Sequence, residues 1–395
     1  MKIAGIIAEY NPFHTGHAYH IAQTRALSGA DGVAVMMSGN FVQRGGPAIA
    51  DKWTRARSAV AGGADLVMEL PTYFAQAPAQ LFAAGAIASF MQSGVIDVLS
   101  FGAETPGFLE IAEAVIEREW FIEERLREML TPGEPYPITY AKAVEAECGI
   151  EAGILSAPNN MLALEYMKAL AHERSSIEPL CIERAGAGYH EVQAKDGFAS
   201  ATALRKKIAE GDASWEQYMP EPVLNIYKEA KAHGKFPVTE KMFDTALLSF
   251  LRALPAEQFA CVSDMPDGFE NRIVQMAKQA TSIEALCALC STKHYTAARV
   301  RRLIWACFLG LPQLGYDAAP TYIRVLAFNE KGRAILKEMK ETSVLPIIVK
   351  TADYEADALF NADVRATDLY FTSSQNAENR RGGLDYILSP EAVLM

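Results

Sequence analysis

The sequence predicts an α/β protein: a parallel β-sheet with helices on both faces, followed by a mainly helical C-terminal region. Three observations lead there. Short apolar runs alternate with stretches of helical length over the first hundred residues. Polar loops rich in Gly, Asn and Arg follow those runs, where parallel sheets place their ligand sites. Residues 220–312 read as mainly helical.

Taken in order, the apolar runs Ile3–Ala8, Gly32–Ser38, Ala64–Leu70 and Val95–Phe101 read as buried parallel strands. Gly16–Leu27, Asp51–Ala61 and Pro78–Gln92 read as the helices between them, which makes βαβ units. Residues 107–170 look helical, with a loop at Pro132–Pro135. Pro158-Asn159-Asn160 breaks the chain and caps a helix from Met161 to Leu170. Pro179–Ile182 reads as a short strand, and Ser200 and Thr202 can cap a basic helix containing Arg205. Further on, Ile323–Phe328 and Val344–Val349 look like strands and Gly332–Met339 like a helix. Composition shifts after about residue 210, so the chain divides into 1–215 and 216–395.

Composition narrows the class. The chain has 395 residues, half of them hydrophobic and 22% charged, which suits a globular enzyme with a substantial core. No apolar run reaches membrane-spanning length and Met1-Lys2 leads straight into a strand, so neither a membrane span nor a signal peptide is expected. Six scattered cysteines (Cys148, Cys181, Cys261, Cys287, Cys290, Cys307) suit a reducing cytoplasm better than a disulfide framework. Cys287 and Cys290 lack a second half-site, and core cysteines on a helix are the simpler reading. The net charge of −11 argues against indiscriminate nucleic-acid binding while leaving room for a local basic patch. No stable protein partner is inferred.

The stretch Ile7-Ala8-Glu9-Tyr10-Asn11-Pro12-Phe13-His14-Thr15-Gly16-His17 organises the rest. A strand, a tight loop and a helix N-terminus together form a phosphate-binding geometry, because free N–H groups and the positive helix end face the ligand. His14 and His17 share a helical face. Their spacing is not the i, i+4 of a helical zinc pair, so no metal site is expected. Imidazole N–H groups stabilising charge on a transferring phosphate are the better reading; helix capping is the alternative. His20, a turn further on, is either a surface residue or a neighbour of the ligand.

The loop after the second strand, Ser38 to Pro47, offers Gly39 for close approach, the Asn40 amide, and the Arg44 fork for a carboxylate or phosphate. Asp65 and Glu69 flank the third strand; a carboxylate at a strand end could hold a metal or a ribose, but capping is commoner. Gly102 after the fourth strand would let a base or ribose pack on bare backbone. Ser200, Thr202 and Arg205 have the donors for a second phosphate clamp. Lys293, Arg299, Arg301 and Arg302, read as helical with Tyr295, suit an RNA backbone or else form a solvated face.

His14-Thr15-Gly16-His17 resembles the HxGH signature of the nucleotidyltransferase superfamily, and Ala199–Arg205 resembles its second phosphate-binding motif. With Ser38–Gly45, Asp65–Pro71, Phe101–Glu104 and Pro158–Leu162, the chain resembles the bacterial tRNA(Met) cytidine acetate ligase family. The resemblance implies a Rossmann-like, HUP-type sheet. It also implies a reaction: ATP and acetate give acetyl-adenylate, and the acetyl group passes to N4 of the wobble cytidine of elongator tRNA(Met). On this resemblance His14 and His17 are catalytic. The ATP site comprises Ile7 to His20, including Ala18 and Tyr19, with Gly102, Asn159 or Asn160, Arg184, Ser200 and Arg205. Mg²⁺ is expected with the triphosphate. By chemistry rather than by resemblance, Gly39, Asn40 and Arg44 are assigned to acetate, and Lys293, Arg299, Arg301 and Arg302 to tRNA. The chain departs from the family pattern at Gly46, where an acidic residue is expected, and at Ala103, where a hydroxyl is common. The rivals are another HxGH or pantothenate-synthetase-like adenylating enzyme, and a non-catalytic nucleotide-dependent RNA-binding module.

Overall fold

The computed structural model describes residues 1–131, 136–183, 199–315 and 317–393. The expected Pro132–Pro135 loop and Arg184 lie outside them. Among the described residues eight strands form one sheet: β1 (Ile3–Ala8), β2 (Gly32–Ser38), β3 (Leu66–Leu70), β4 (Val98–Ala103), β5 (Glu178–Glu183), β6 (Ile323–Phe328), β7 (Ile347–Ile348) and β8 (Glu391–Ala392). The order is β5-β4-β1-β2-β3-β6-β7, with β8 beside β6. β1 to β5 run parallel, and β6 joins β3 antiparallel. Strand order reverses between β1 and β4, so a crevice opens beyond the carboxyl ends of these two strands.

Strand alternation sends side chains to two cores. Val33, Val35 and Met37 of β2 enter one; Ala34 and Met36 enter the other, on the opposite face. Helix Lys52–Ala61 packs with the first core and helices Ala79–Ser93 and Pro158–His172 with the second. The first core continues into the C-terminal helices, through Phe243, Leu251, Ile273 and Trp305. Segments from both sides of residue 215 therefore share one sheet and one core.

Several local expectations shift. β3 starts at Leu66 and β4 at Val98, two and three residues later than the apolar runs begin. Pro158 takes the first turn of its helix and Ala157 the cap, so Asn159 and Asn160 are helical rather than capping. The strand expected over Val344–Val349 shortens to two residues. Lys293 and Tyr295 precede the helix they were expected to join, because Thr296 caps Ala297–Leu309 through its side chain. The charged first turn of helix Lys52–Ala61 buries both Lys52 and Arg55.

Candidate active site

β1 ends at Ala8, and the chain turns at Tyr10, whose φ of 46° lies in the left-handed region. Helix Thr15–Ser28 then begins under an unusual cap made by the two histidines. His14 Nδ1 accepts the Gly16 N–H at 3.1 Å, and His17 Nδ1 accepts the His14 N–H at 3.2 Å. The rings stack with centroids 3.8 Å apart, and the Tyr10 ring meets His17 edge-on at 4.8 Å. With Nδ1 of each ring used as an acceptor, the proton of the neutral imidazole sits on Nε2. Capping and phosphate contact, alternatives in the sequence, are therefore compatible: the cap fixes which edge of each ring can donate.

A buried arginine shapes the loop around this turn. Arg55 donates to the carbonyls of Ala50 (2.9 Å), Glu9 (2.6 Å), Ser38 (3.0 Å) and Gly39. It thereby ties the ends of β1 and β2 together. Burial lowers its pKa; Tyr370, Tyr227, Asp51 and Glu9 oppose that shift. Asn11 Oδ1 accepts the Ile49 N–H at 2.8 Å, and Tyr227 Oη accepts the Phe13 N–H at 3.1 Å. Tyr227 has no local sequence signal, whereas Arg55 stands in the charged first turn of its helix, beside the expected pocket.

The rim is charged. Arg205, from helix Ala201–Glu210, donates from one terminal nitrogen to the Asn11 carbonyl at 2.7 Å and from the other to Thr202 Oγ1 at 3.0 Å. The second motif is thus drawn to the first across 194 residues. Burial lowers the Arg205 pKa, Glu9 raises it and Arg44 lowers it further. Burial also lowers that of Arg44, against Glu9. Glu9 accepts the Gln43 N–H at 3.0 Å. Two arginines thus sit within electrostatic reach of one carboxylate and of each other, an arrangement that favours an incoming anion. Ser200 caps its helix by accepting the Ala203 N–H at 3.2 Å.

Other expected site residues divide. Gly102 lies on β4 at the crevice, paired with Ile182. Asn160 is fully buried: its Oδ1 accepts the Glu104 N–H at 2.8 Å, and its Nδ2 donates to Thr105 Oγ1 and the Ile154 carbonyl. Asn159 is half-buried and donates to Glu104. His20 approaches Ser100 Oγ at 3.1 Å, facing β4; Tyr19 is exposed. Asn40 is buried, accepting the Lys52 N–H at 2.8 Å and donating to Thr367 Oγ1 at 3.1 Å, while the Gly39 carbonyl accepts from Arg55. These two residues brace the loop that carries Arg44. Asp65 accepts the Val33 N–H and pairs with Arg25, and Glu69 pairs with Lys52 and Arg324.

On the C-terminal helix Ala297–Leu309, Arg299 pairs with Asp264 at 2.8 Å and Arg301 with Glu240. Burial lowers the Arg302 pKa, and Lys293 is exposed. Glu240 Oε1 lies 3.8 Å from where a Gly46 Cβ would stand. Cys287, Cys290 and Cys307 are buried, and burial raises the pKa of each. Among the described residues no group of three or more His, Cys, Asp or Glu could hold a metal ion, and no helix is long and apolar enough to cross a membrane.

A parallel sheet with a histidine-capped helix at its switch point, and with Arg205 drawn to the loop before that helix, is consistent with a nucleotidyl transferase of the HIGH class. The HIGH nucleotidyl transferase family model matches residues 1–384. Two relatives named tRNA(Met) cytidine acetate ligase are similar over nearly the whole chain. The Thermoanaerobacter sp. protein is 38% identical over 98% of each chain, and that of Clostridium perfringens 35% over 99% of each. The crystal structure of apo Thermotoga maritima TmcAL superposes with a TM-score of 0.92 at 31% identity, covering all of both chains; the same protein bound with α-thio ATP gives 0.91. The chain belongs to the tRNA(Met) cytidine acetate ligase family.

Proposed function

We propose that this chain activates acetate with ATP and delivers the acetyl group to N4 of the wobble cytidine of elongator tRNA(Met). An acetate oxygen attacks the α-phosphorus and pyrophosphate leaves, giving acetyl-adenylate. The cytidine amine then attacks the acetyl carbonyl, AMP leaves and the amine loses a proton. The observation that carries the reading is the reciprocal histidine cap, which presents two Nε2–H donors from one helix start. Charge that builds on the α-phosphate in the transition state would meet donors already oriented, with no reorganisation at the moment of reaction.

In this reading Arg205 and Ser200 hold the β- and γ-phosphates, Arg184 adds a phosphate contact, and Gly102 gives the base or ribose a bare surface. Asn159 makes the asparagine contact, since the polar atoms of the Asn160 side chain are engaged by protein groups. Arg44 faces the anionic substrates while Gly39 and Asn40 keep its loop in place. Among the described residues no cluster of carboxylates offers Mg²⁺ a site of its own. The carboxylate described at the rim, Glu9, already accepts the Gln43 N–H beside two arginines. An ion would enter on triphosphate oxygens, and no step above passes through it. Residues 1–215 carry activation and residues 216–395 carry tRNA binding, with Lys293, Arg299 and Arg302 as the basic contacts; the cytoplasm is the matching compartment.

Acetate-dependent exchange of labelled pyrophosphate into ATP, without tRNA, tests the activation half. His17→Ala should lower exchange on the order of 100-fold or more, the scale of losing a transition-state donor, with thermal unfolding still cooperative. Exchange at the parental rate in that variant contradicts the role given to His17.

A further inference from the structure

Arg44 belongs to a loop that touches both halves of the chain. Its neighbour Gln43 donates to Glu9 on the rim. Its other neighbour, Gly45, lies directly on helix Ala297–Leu309. Gly45 has φ +80°, and a Cβ there would stand 2.9 Å from the Arg302 nitrogen and 3.1 Å from the Arg301 carbonyl carbon. Gly46 has φ +121° and faces Trp305 Nε1 and Glu240. Only glycine lets loop backbone and helix backbone approach this closely at those angles.

Glu240 is held on two sides. Arg301 forms an ion pair with it, and Trp305 Nε1 donates to it at 3.1 Å. The root of the loop is anchored by Phe41, fully buried, whose ring lies 5.4 Å from Trp305 and 6.3 Å from Phe243. A basic helix that sequence patterning assigns to RNA therefore turns one of its arginines inward, toward the floor of the Gly45–Gly46 turn.

We propose that Arg301 and Glu240 are positioning residues for the activation step: the pair sets the Gly45–Gly46 turn and so the place of Arg44 beside the anionic substrates. Arg301 acts through the loop and not by contacting RNA. The proposal rests on the assignment of Arg44 given above. It makes the two halves of the chain interdependent in the first half-reaction, before tRNA is present.

The test is acetate-dependent pyrophosphate exchange by the full-length chain without tRNA, beside tRNA affinity measured by filter binding. Arg301→Gln should lower exchange on the order of tenfold or more, as displacement of an orienting group does, and should leave tRNA affinity within about twofold, because a group that touches no RNA adds nothing to binding. Arg301→Lys, which keeps the charge, should recover most of the exchange. Glu240→Gln keeps an acceptor for Trp305 and should reproduce the loss, which serves if Arg301→Gln folds poorly. Arg125→Gln removes an exposed side chain of helix Glu119–Met129 that pairs with Glu128 and Glu147 and should change neither readout. Parental exchange in both Arg301→Gln and Glu240→Gln, or a tenfold loss of tRNA affinity in Arg301→Gln with exchange intact, overturns the proposal. Arg44→Gln separates the two levels: exchange that survives it overturns the Arg44 assignment and the proposal with it, whereas exchange lost in Arg44→Gln but intact in both pair variants overturns the proposal alone.

Discussion

Arg55 shows how much of the site depends on buried side chains that hold its backbone in place. Its guanidinium lies in the interior and donates to four carbonyls. Replacing it with alanine would leave buried carbonyls without donors, and unpaired buried polar groups are costly. Arg55→Ala should lose roughly 3 kcal/mol or more of stability in urea unfolding; a loss below about 1 kcal/mol, the range of surface pairs, would show that the loop ends hold without it. Asp363 makes a pH prediction. It is buried beside Glu69 and Lys52, and it accepts hydrogen bonds from Tyr322 Oη and the Thr72 N–H. Burial raises its pKa to about 7, with Glu69 adding to the rise. The folded protein thus keeps a proton that the unfolded chain releases near pH 4. This contribution to stability is present below about pH 4 and is lost as pH rises through 7. Asp363→Asn should flatten the fall in stability over that window, read from urea midpoints at pH 4.5 and 7.5; an unchanged slope contradicts the assignment.

At the scale of elements, the β1 turn and helix Lys52–Ala61 form one unit. Gly62, at the end of that helix, faces the Phe13 ring, and a Cβ there would overlap it. Phe13 lies next to His14, so Gly62→Ala should cost about 1–3 kcal/mol by overpacking and should also reduce pyrophosphate exchange. Loss of stability with exchange per folded molecule unchanged would separate Phe13 from the histidine cap. The four N-terminal strands were legible in the sequence because each is a short buried run bounded by polar loops. The histidine turn was legible because strand, loop and Gly16 stand together in the chain. The brace made by Asn40 was not legible: an amide in a Gly-rich loop after a strand reads as a ligand donor, and its partners Lys52 and Thr367 lie 12 and 327 residues away. Lys293 and Tyr295 were assigned to a helix because nothing in their composition marks Thr296 as the cap.

For the whole molecule, the C-terminal half is not an appendage. It adds β6 to the sheet at β3, surrounds Phe41 with Phe243, Trp305 and Tyr370, and supplies Glu240 below the Gly46 turn. None of this was legible locally, since antiparallel addition of β6 and packing of an aromatic cage join residues hundreds of positions apart. In the function proposed above, this arrangement joins carboxylate activation to RNA recognition, because the crevice at β1 and the helix Ala297–Leu309 share the loop that carries Arg44. Delivery of ATP-activated acetate to one cytidine of a methionine tRNA can be read by incubating the protein with labelled acetate, ATP and total bacterial tRNA, then digesting the tRNA and locating the label. ATP-dependent label is expected in N4-acetylcytidine at the wobble position of elongator tRNA(Met). Label spread over many tRNAs, or no label in tRNA while pyrophosphate exchange proceeds, would contradict it.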